Sequence, residues 1–401
     1  MTIVDLDKYG PDFTVNPYPF YARLRESGPV HRVRGADGGE FWLIVGHEEA
    51  RAAFSDARLS KSPATIGVTM LDEQVIGPNL LVLDPPDHTR LRKLVSREFT
   101  PRRAEALRPR VQRITDDLLD AMLPAGRADL VDALAFPLPI VVICELLGIP
   151  AADRDAFRAW SNEVVAPTSQ EAGEDAVRQL AVYLDELIED KRSAAPTDDL
   201  LSALVRSLPG PAEAGGPAAE DDRLSAAELR ALAYLLLVAG HETTVNLISN
   251  GVRALLTHPD QLAALRADFS LLDGAVEEML RYDGPVETAT VRFSTAPVPV
   301  GDQVVPQGEM VLIGLAAADH DPARYEAPDR FDIRRDARGH LAFGHGIHFC
   351  LGAPLARMEA RIAVRSLLER CPDLALDAPA DTYDWLPGLL MRGVRRLPVR
   401  W

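Results

Sequence analysis

Cysteine is scarce in this chain, with three among 401 residues, widely spaced and odd in number. They cannot build a disulfide framework, which fits a reducing cytoplasm and leaves a thiol available for chemistry. Positive charge is also short: 43 Lys and Arg face 60 Asp and Glu, for a net charge of −17. Phosphate binding needs a basic footprint, so a nucleic-acid partner is excluded. Apolar runs are short as well. No stretch reaches the ~18 uninterrupted apolar residues of a membrane span, and the longest candidate, Leu138 to Pro150, contains Glu145. Met1 to Gly10 has acidic residues and no basic region followed by an apolar one, so it does not read as a signal peptide. A cytoplasmic protein that meets neither nucleic acid nor membrane is expected.

What is present is core-forming material. Hydrophobic residues make up 47% and the mean hydropathy is −0.04, so the chain can bury a large core and is not disordered over most of its length. At ~150 residues per domain the length allows two or three domains, with one large helical domain as the alternative. No internal repeat is visible. From about Pro86 to Leu368 the apolar residues recur at three and four spacing, which predicts helices over Arg102–Met122, Ala176–Arg192 and a long segment after Ser225. That segment opens with a capping box, Ser225 and Glu228, and runs to about Leu256. Strand-like pieces are few: Val30–Val33, Phe41–Val45, Thr288–Phe293, Val298–Val300 and Met310–Gly314. The fold class is therefore mainly α with small β-sheets. Ser207 to Asp222 is rich in Pro, Gly, Ala and acid without an apolar period, which reads as an exposed flexible loop, or else a lid.

The densest chemical signal is Phe343-Gly344-His345-Gly346-Ile347-His348-Phe349-Cys350-Leu351-Gly352, followed by a helical run. Three glycines permit a tight backbone approach to something flat or bulky. Cys350 stands where a helix begins, and free N–H groups there favour thiolate over thiol. A zinc site from His345, His348 and Cys350 is one reading, but the spacing matches no common zinc pattern and no fourth ligand is obvious. A phosphate loop lacks the leading strand and the Lys-Ser or Lys-Thr pair. A buried structural cysteine beside a turn is the plainest reading.

A second signal lies in the middle of the long helix, Ala239-Gly240-His241-Glu242-Thr243-Thr244. Gly and two threonines lower helix propensity where Leu or Ala would serve better, and such local breaks mark function. Thr243 is four residues after Ala239, so its hydroxyl can bond that carbonyl and open a groove. Ala239 and Gly240 carry no bulk, which leaves room for a diatomic ligand. His241 reads as a packed or exposed histidine outside the mechanism.

Phe343, Gly344, Gly346, Cys350 and Gly352 resemble the haem-binding loop of the cytochrome P450 family in all of its fixed positions. The resemblance runs from Pro17-Tyr18-Pro19 to the carboxyl-terminal strands and looks closest to soluble actinobacterial enzymes that hydroxylate macrolides and other polyketides. It implies the cytochrome P450 fold, with haem between the long helix and the cysteine-loop helix, and Cys350 as axial thiolate to the iron. Cofactor contacts would include Ala239, Gly240, Phe343, Gly344 and Gly352. Glu242 and Thr243 match the acid–alcohol pair that helps to deliver protons to dioxygen. Glu278 and Arg281 share a helix face over Leu271–Tyr282 and, with Arg330 of Pro328-Asp329-Arg330-Phe331, match the family's structural triad behind the haem loop. The propionate donors fall on His88 and Arg92, four apart, with Arg292 and His348.

The resemblance implies haem b and dioxygen, with NAD(P)H serving only indirectly through a ferredoxin and its reductase. Arg90, Lys93 and Arg97 on the His88 helix, with Arg357, Arg361 and Arg365 four apart on the helix after Cys350, read as a basic landing site for an acidic ferredoxin. A solvated charged face is the plainer reading. The loop Ser62–Leu83, with Met70, Leu71, Val75, Leu80, Leu81 and Val82, suits a large apolar ligand, and Asp72 and Glu73 could meet a sugar amine. Leu236 and Ala239, then Val286, Glu287 and Ala289, then Leu389, Leu390 and Met391 would line the rest. Because one site spans His88 to Cys350, residues 1–401 are expected to close as a single domain and a monomer. No room is left for a fused flavin or iron–sulfur reductase. Hydroxylation is the expected reaction; epoxidation, desaturation, oxidative coupling, a steroid-like substrate or a non-catalytic haem sensor are the alternatives.

Overall fold

The structure is a computed structural model that describes residues 3–35, 38–67, 74–97, 99–165, 168–195, 197–206, 208, 223–379 and 382–401. Its architecture is the expected one, mainly helical with small sheets, and 57% of it is helix. The loop expected at 207–222 falls, apart from Leu208, outside the described residues.

Ser225 opens the long helix with both halves of the capping box made: Glu228 N–H donates to its hydroxyl, and Ser225 N–H donates to the Glu228 carboxylate. The helix Ala226–Thr257 has 32 residues, or ~48 Å. Among the described residues it is the one helix long and apolar enough to cross a membrane, with a mean hydropathy of 1.3 over its apolar window, yet 61% of that window is buried by protein. Helices Pro137–Leu147, Leu272–Asp283, Ala353–Arg370 and Gln170–Ser193 pack around it, which explains why it is apolar nearly all round. Small residues set how closely they approach. A Cβ on Gly240 would lie 3.1 Å from Ile143 Cδ1, so this glycine admits the neighbouring helix Pro137–Leu147. Its bareness had been read as room for a small ligand alone.

A six-stranded sheet runs in the order Val4–Asp5, Val30–Arg34, Glu40–Ile44, Met310–Ile313, Arg292–Ser294, Leu59–Ser60. Glu40–Ile44 pairs antiparallel with Val30–Arg34 and parallel with Met310–Ile313, with Trp42 opposite Val311. The strand predicted over Thr288–Phe293 is shorter than expected, covering Arg292–Ser294 only. The carbonyls of Thr290 and Val291 accept instead from the Lys61 ammonium at 3.0 and 2.9 Å, which withdraws them from the ladder. The largest apolar core surrounds the long helix, and two smaller ones lie against the sheet.

Candidate active site

The cysteine loop is shaped by two glycines in the left-handed region, Gly344 at φ +70° and Gly346 at φ +75°, where a side chain would be strained. A Cβ on Gly346 would also lie 3.1 Å from the Phe54 carbonyl. The loop closes where Cys350 N–H donates to the Phe343 carbonyl at 2.9 Å. Cys350 then precedes helix Ala353–Arg370 by three residues. Burial raises its thiol pKa, while the N–H groups of Gly352 and Ala353 and the charges of Arg92 and Arg357 pull it down. Burial outweighs the helix start, against the sequence expectation of a ready thiolate; a metal would have to displace the proton. Cys144 and Cys371 are buried elsewhere, and burial pushes Cys144 up to about 12.

Cys350 borders a cavity of about 290 Å³ whose other wall is Ala239, Gly240, Thr243 and Thr244 of the long helix. The two densest motifs therefore face one space. Thr243 Oγ1 donates to the Ala239 carbonyl at 3.1 Å, the bond its spacing predicted. Glu242 does not border the cavity. Burial raises its carboxyl pKa, and Asn246 and Arg395 act in the opposite sense. His241 is buried, donates Nδ1–H to the Leu237 carbonyl at 3.0 Å, and is held neutral by burial at about 4.

At one edge of the cavity stand Arg292 and His348, while His88, expected there too, does not border the cavity and packs against His348. The rings of His88 and His348 lie 4.2 Å apart. Both ring nitrogens of His88, Nε2 of His348 and Nε of Arg292 are buried without a hydrogen-bond partner among the described residues. Burial, aided by the charges of His88, Arg292 and Lys61, lowers His348 to about 3, and burial lowers Arg292 to about 10. Arg92 donates to the Phe349 carbonyl at 2.6 Å, directly beside Cys350. A buried polar atom left unpaired costs on the order of 1–3 kcal/mol, so these nitrogens are poised for a polar partner.

Behind the loop, Arg281 grips Glu278 with two bonds of 2.7 and 2.9 Å, and both side chains are fully buried. The third member is Arg335, whose Nε lies 3.3 Å from Glu278 Oε1. Arg330, expected in that place, turns outward to Asp332 and is 66% exposed. Phe331 beside it takes the inward direction, packing on the rings of Tyr282 and His258, so its neighbour must face solvent. Arg330 contributes only its carbonyl, which accepts from Arg281 and Arg335.

The substrate wall is partly as expected. Leu80, Leu81, Leu236, Ala239, Val286 and Ala289 border the cavity. Val82 and Met391 do not, and Leu390 is 46% exposed, facing away. Val286 and Met391 pair through their backbones, so that short bridge uses up the approach of the carboxyl-terminal turn. Met70, Leu71, Asp72 and Glu73 lie outside the described residues. Ile143, Leu232, Leu235, Lys61 and Glu359 border the cavity without having been anticipated. Leu232 and Leu235 are seven and four residues before Ala239, a helical period that could have found them. Nothing in the sequence marks Glu359 as buried, yet it is, with Oε2 unpaired among the described residues and its carboxyl pushed up by burial to about 8.

The basic patch is largely neutralised. Arg90 reaches Glu228 and the Arg223 carbonyl, Arg357 pairs with Glu277, Arg361 with Asp273 at 3.1 Å, and Arg365 with Glu369 at 2.9 Å. Lys93 and Arg97 are exposed. Among the described residues no group of three or more His, Cys, Asp or Glu converges for a metal ion, so the zinc reading of His345, His348 and Cys350 has no geometry behind it.

A single cysteine facing the threonine hydroxyls of a continuous long helix across one cavity is the arrangement of a haem-thiolate enzyme. A sequence model of the family described as "Cytochrome P450" matches residues 157–392. The "Cytochrome P450 monooxygenase PikC" of Streptomyces venezuelae is 57% identical over 402 residues, covering 100% of this chain and 94% of its own. The "6-deoxyerythronolide B hydroxylase" of Saccharopolyspora erythraea is 46% identical, covering 100% and 99%. The ligand-free P450 monooxygenase TamI superposes with a TM-score of 0.86 at 43% identity, covering 100% and 94%. The chain belongs to the cytochrome P450 family and is a monooxygenase of that fold. Haem iron and dioxygen are the reagents of that family. The residues fit such a group: a lone sulfur on one face of the cavity, small residues on the other, and buried nitrogens of Arg292 and His348 without a partner among the described residues at its edge.

Proposed function

We propose that this enzyme hydroxylates a bulky apolar macrolide or polyketide in secondary metabolism. The observation that carries the reading is the apolar wall of Leu80, Leu81, Leu232, Leu236, Val286 and Ala289 directly over the Cys350–Thr243 gap. Relatives that are macrolide and polyketide hydroxylases support the substrate class. Cys350 would hold the iron of haem b, and His88, Arg92, Arg292 and His348 would take its carboxylates. When bound, that group supplies the activation of dioxygen and the insertion of one oxygen atom into a C–H bond. The chain's own part is to orient the substrate against the wall and keep water out. Thr243 holds a proton at its hydroxyl, oriented by the Ala239 carbonyl, and Glu242, one residue earlier on the same helix, relays protons from outside the cavity.

Electrons would come from a ferredoxin and its reductase, with NAD(P)H serving the reductase only. A second landing surface is the polar cavity of about 350 Å³ beside the cysteine loop. Arg51, Arg324, Arg338 and His345 border it with Phe349, and Ile347 is exposed on the same loop. Residues 1–401 would act as one cytoplasmic, monomeric unit. The test is a reduced carbon monoxide spectrum followed by substrate titration of the Soret band with macrolides, their aglycones and steroids. Macrolides or aglycones are expected to shift the band; a response to steroids alone would overturn the substrate class.

A further inference from the structure

Phe343, the first residue of the cysteine loop, is gripped from outside. The Arg357 guanidinium lies over its ring, 4.4 Å from the centroid. Arg357 is in turn held by both oxygens of Glu277, Nε to Oε1 at 2.6 Å and Nη2 to Oε2 at 2.7 Å. The second of these oxygens also meets His340 Nε2 at 3.1 Å, and the His340 ring lies 6.0 Å from that of Phe343. Both partners of Glu277 thus touch or flank one ring. The carbonyl of that same residue accepts the Cys350 N–H at 2.9 Å. A continuous path runs from Glu277 through Arg357 and Phe343 to the sulfur-bearing residue.

We propose that Arg357 is a positioning residue for Cys350, clamped by Glu277 so that its charge and its contact with Phe343 set the reduction potential of the bound iron. It borders the polar cavity beside the cysteine loop, but its guanidinium is turned onto Phe343 and Glu277. A planar guanidinium suits this task because it can fork onto a carboxylate and stack on a ring at once, which an ammonium cannot. Burial would raise the Glu277 carboxyl, but its bonds to His340 and Arg357 overcome that and hold it at about 2, so the clamp stays charged. Arg357 is also among the charges acting on the Cys350 thiol. The inference rests on the reading of Cys350 as the iron's ligand.

The experiment compares Arg357→Ala, Arg357→Lys and Glu277→Gln in the haem-loaded enzyme by spectroelectrochemical titration, alongside binding of a plant-type ferredoxin at low salt. Removing a cation near the thiolate disfavours the reduced form. Arg357→Ala is expected to shift the reduced-to-oxidised ratio roughly tenfold toward oxidised, about 59 mV negative for a one-electron couple. Arg357→Lys should recover only part of that shift, and Glu277→Gln, which loosens the clamp, should shift the potential in the same direction as Arg357→Ala but by less. An unchanged potential in Arg357→Ala, with weaker ferredoxin binding, would overturn the proposal and return Arg357 to the docking surface. If Arg357→Ala fails to hold haem, negative shifts of the Lys and Gln variants decide, and no shift in either overturns it. Loss of the thiolate-type carbon monoxide band in the wild-type enzyme would instead defeat the ligand assignment itself.

Discussion

Thr243 donates its hydroxyl to the carbonyl of Ala239, 3.1 Å away and one turn back on the helix that faces Cys350. The bond fixes the hydroxyl's orientation while its lone pairs remain open to the cavity. Thr243→Ala should leave haem and substrate binding intact, because the residue is one small part of the wall. Product formed per electron should fall by on the order of a hundredfold, the lower end of the range for a positioned proton donor. The missing electrons should appear as peroxide. Measured coupling that stays at the wild-type value would remove Thr243 from the proton path.

Cys350 is the one cysteine of the three that borders the cavity. Cys350→Ala should abolish the red-shifted Soret band of the reduced carbon monoxide complex. Cys144→Ala and Cys371→Ala should keep it, since both residues are buried away from the site. Survival of the band in Cys350→Ala would show that another atom ligates the iron.

Arg335, not Arg330, completes the contact on Glu278, and the two arginines should differ when truncated. Arg335→Ala removes a bond to a fully buried carboxylate and three bonds to carbonyls of Glu326, Ala327 and Arg330. A loss of about 1.5–3 kcal/mol is expected, the scale of a hydrogen bond to a charged group. Arg330→Ala trims an exposed side chain and should stay within about 0.5 kcal/mol of wild type. Denaturant unfolding of the two variants checks this; equal losses would mean that Arg330 supports the loop after all.

These contrasts show what a sequence can carry. The cysteine loop was legible because its demands are local: two glycines at positive φ, a cysteine, and a helix start within ten residues. The long helix was legible for the same reason, its capping box and period being contained in one segment. Arg335 was not, because the residue that reaches Glu278 depends on how the irregular segment after Phe331 turns. Leu390 misled because a position carried over from the family's pattern does not say which way the side chain turns, and here it is exposed. Glu359 was invisible: a glutamate on a helix reads as surface, and only packing between helices shows it buried. Gly240 was half read, as room for a ligand, when Ile143 also claims that space.

Glu359 yields a pH dependence whose sign can be worked out. Its carboxyl stands at about 8 in the folded protein against an ordinary value of 4.5, with burial as the cause. Between those values the folded state binds the proton that the unfolded state has released. Stability therefore falls as pH rises from 4.5 toward 8, by at most ~1.4 kcal/mol per unit, and the dependence ends once both states are ionised. Glu287 and Asp319, raised to about 7 and about 6, slope in the same direction, so only the difference from a variant isolates Glu359. Glu359→Gln cannot ionise and keeps the shape. Its unfolding midpoint should drop less than that of wild type between pH 5.5 and pH 7.5, and the variant should be the more stable protein at the higher pH. Parallel curves for the two proteins would show that the buried carboxyl finds a charge partner in solution.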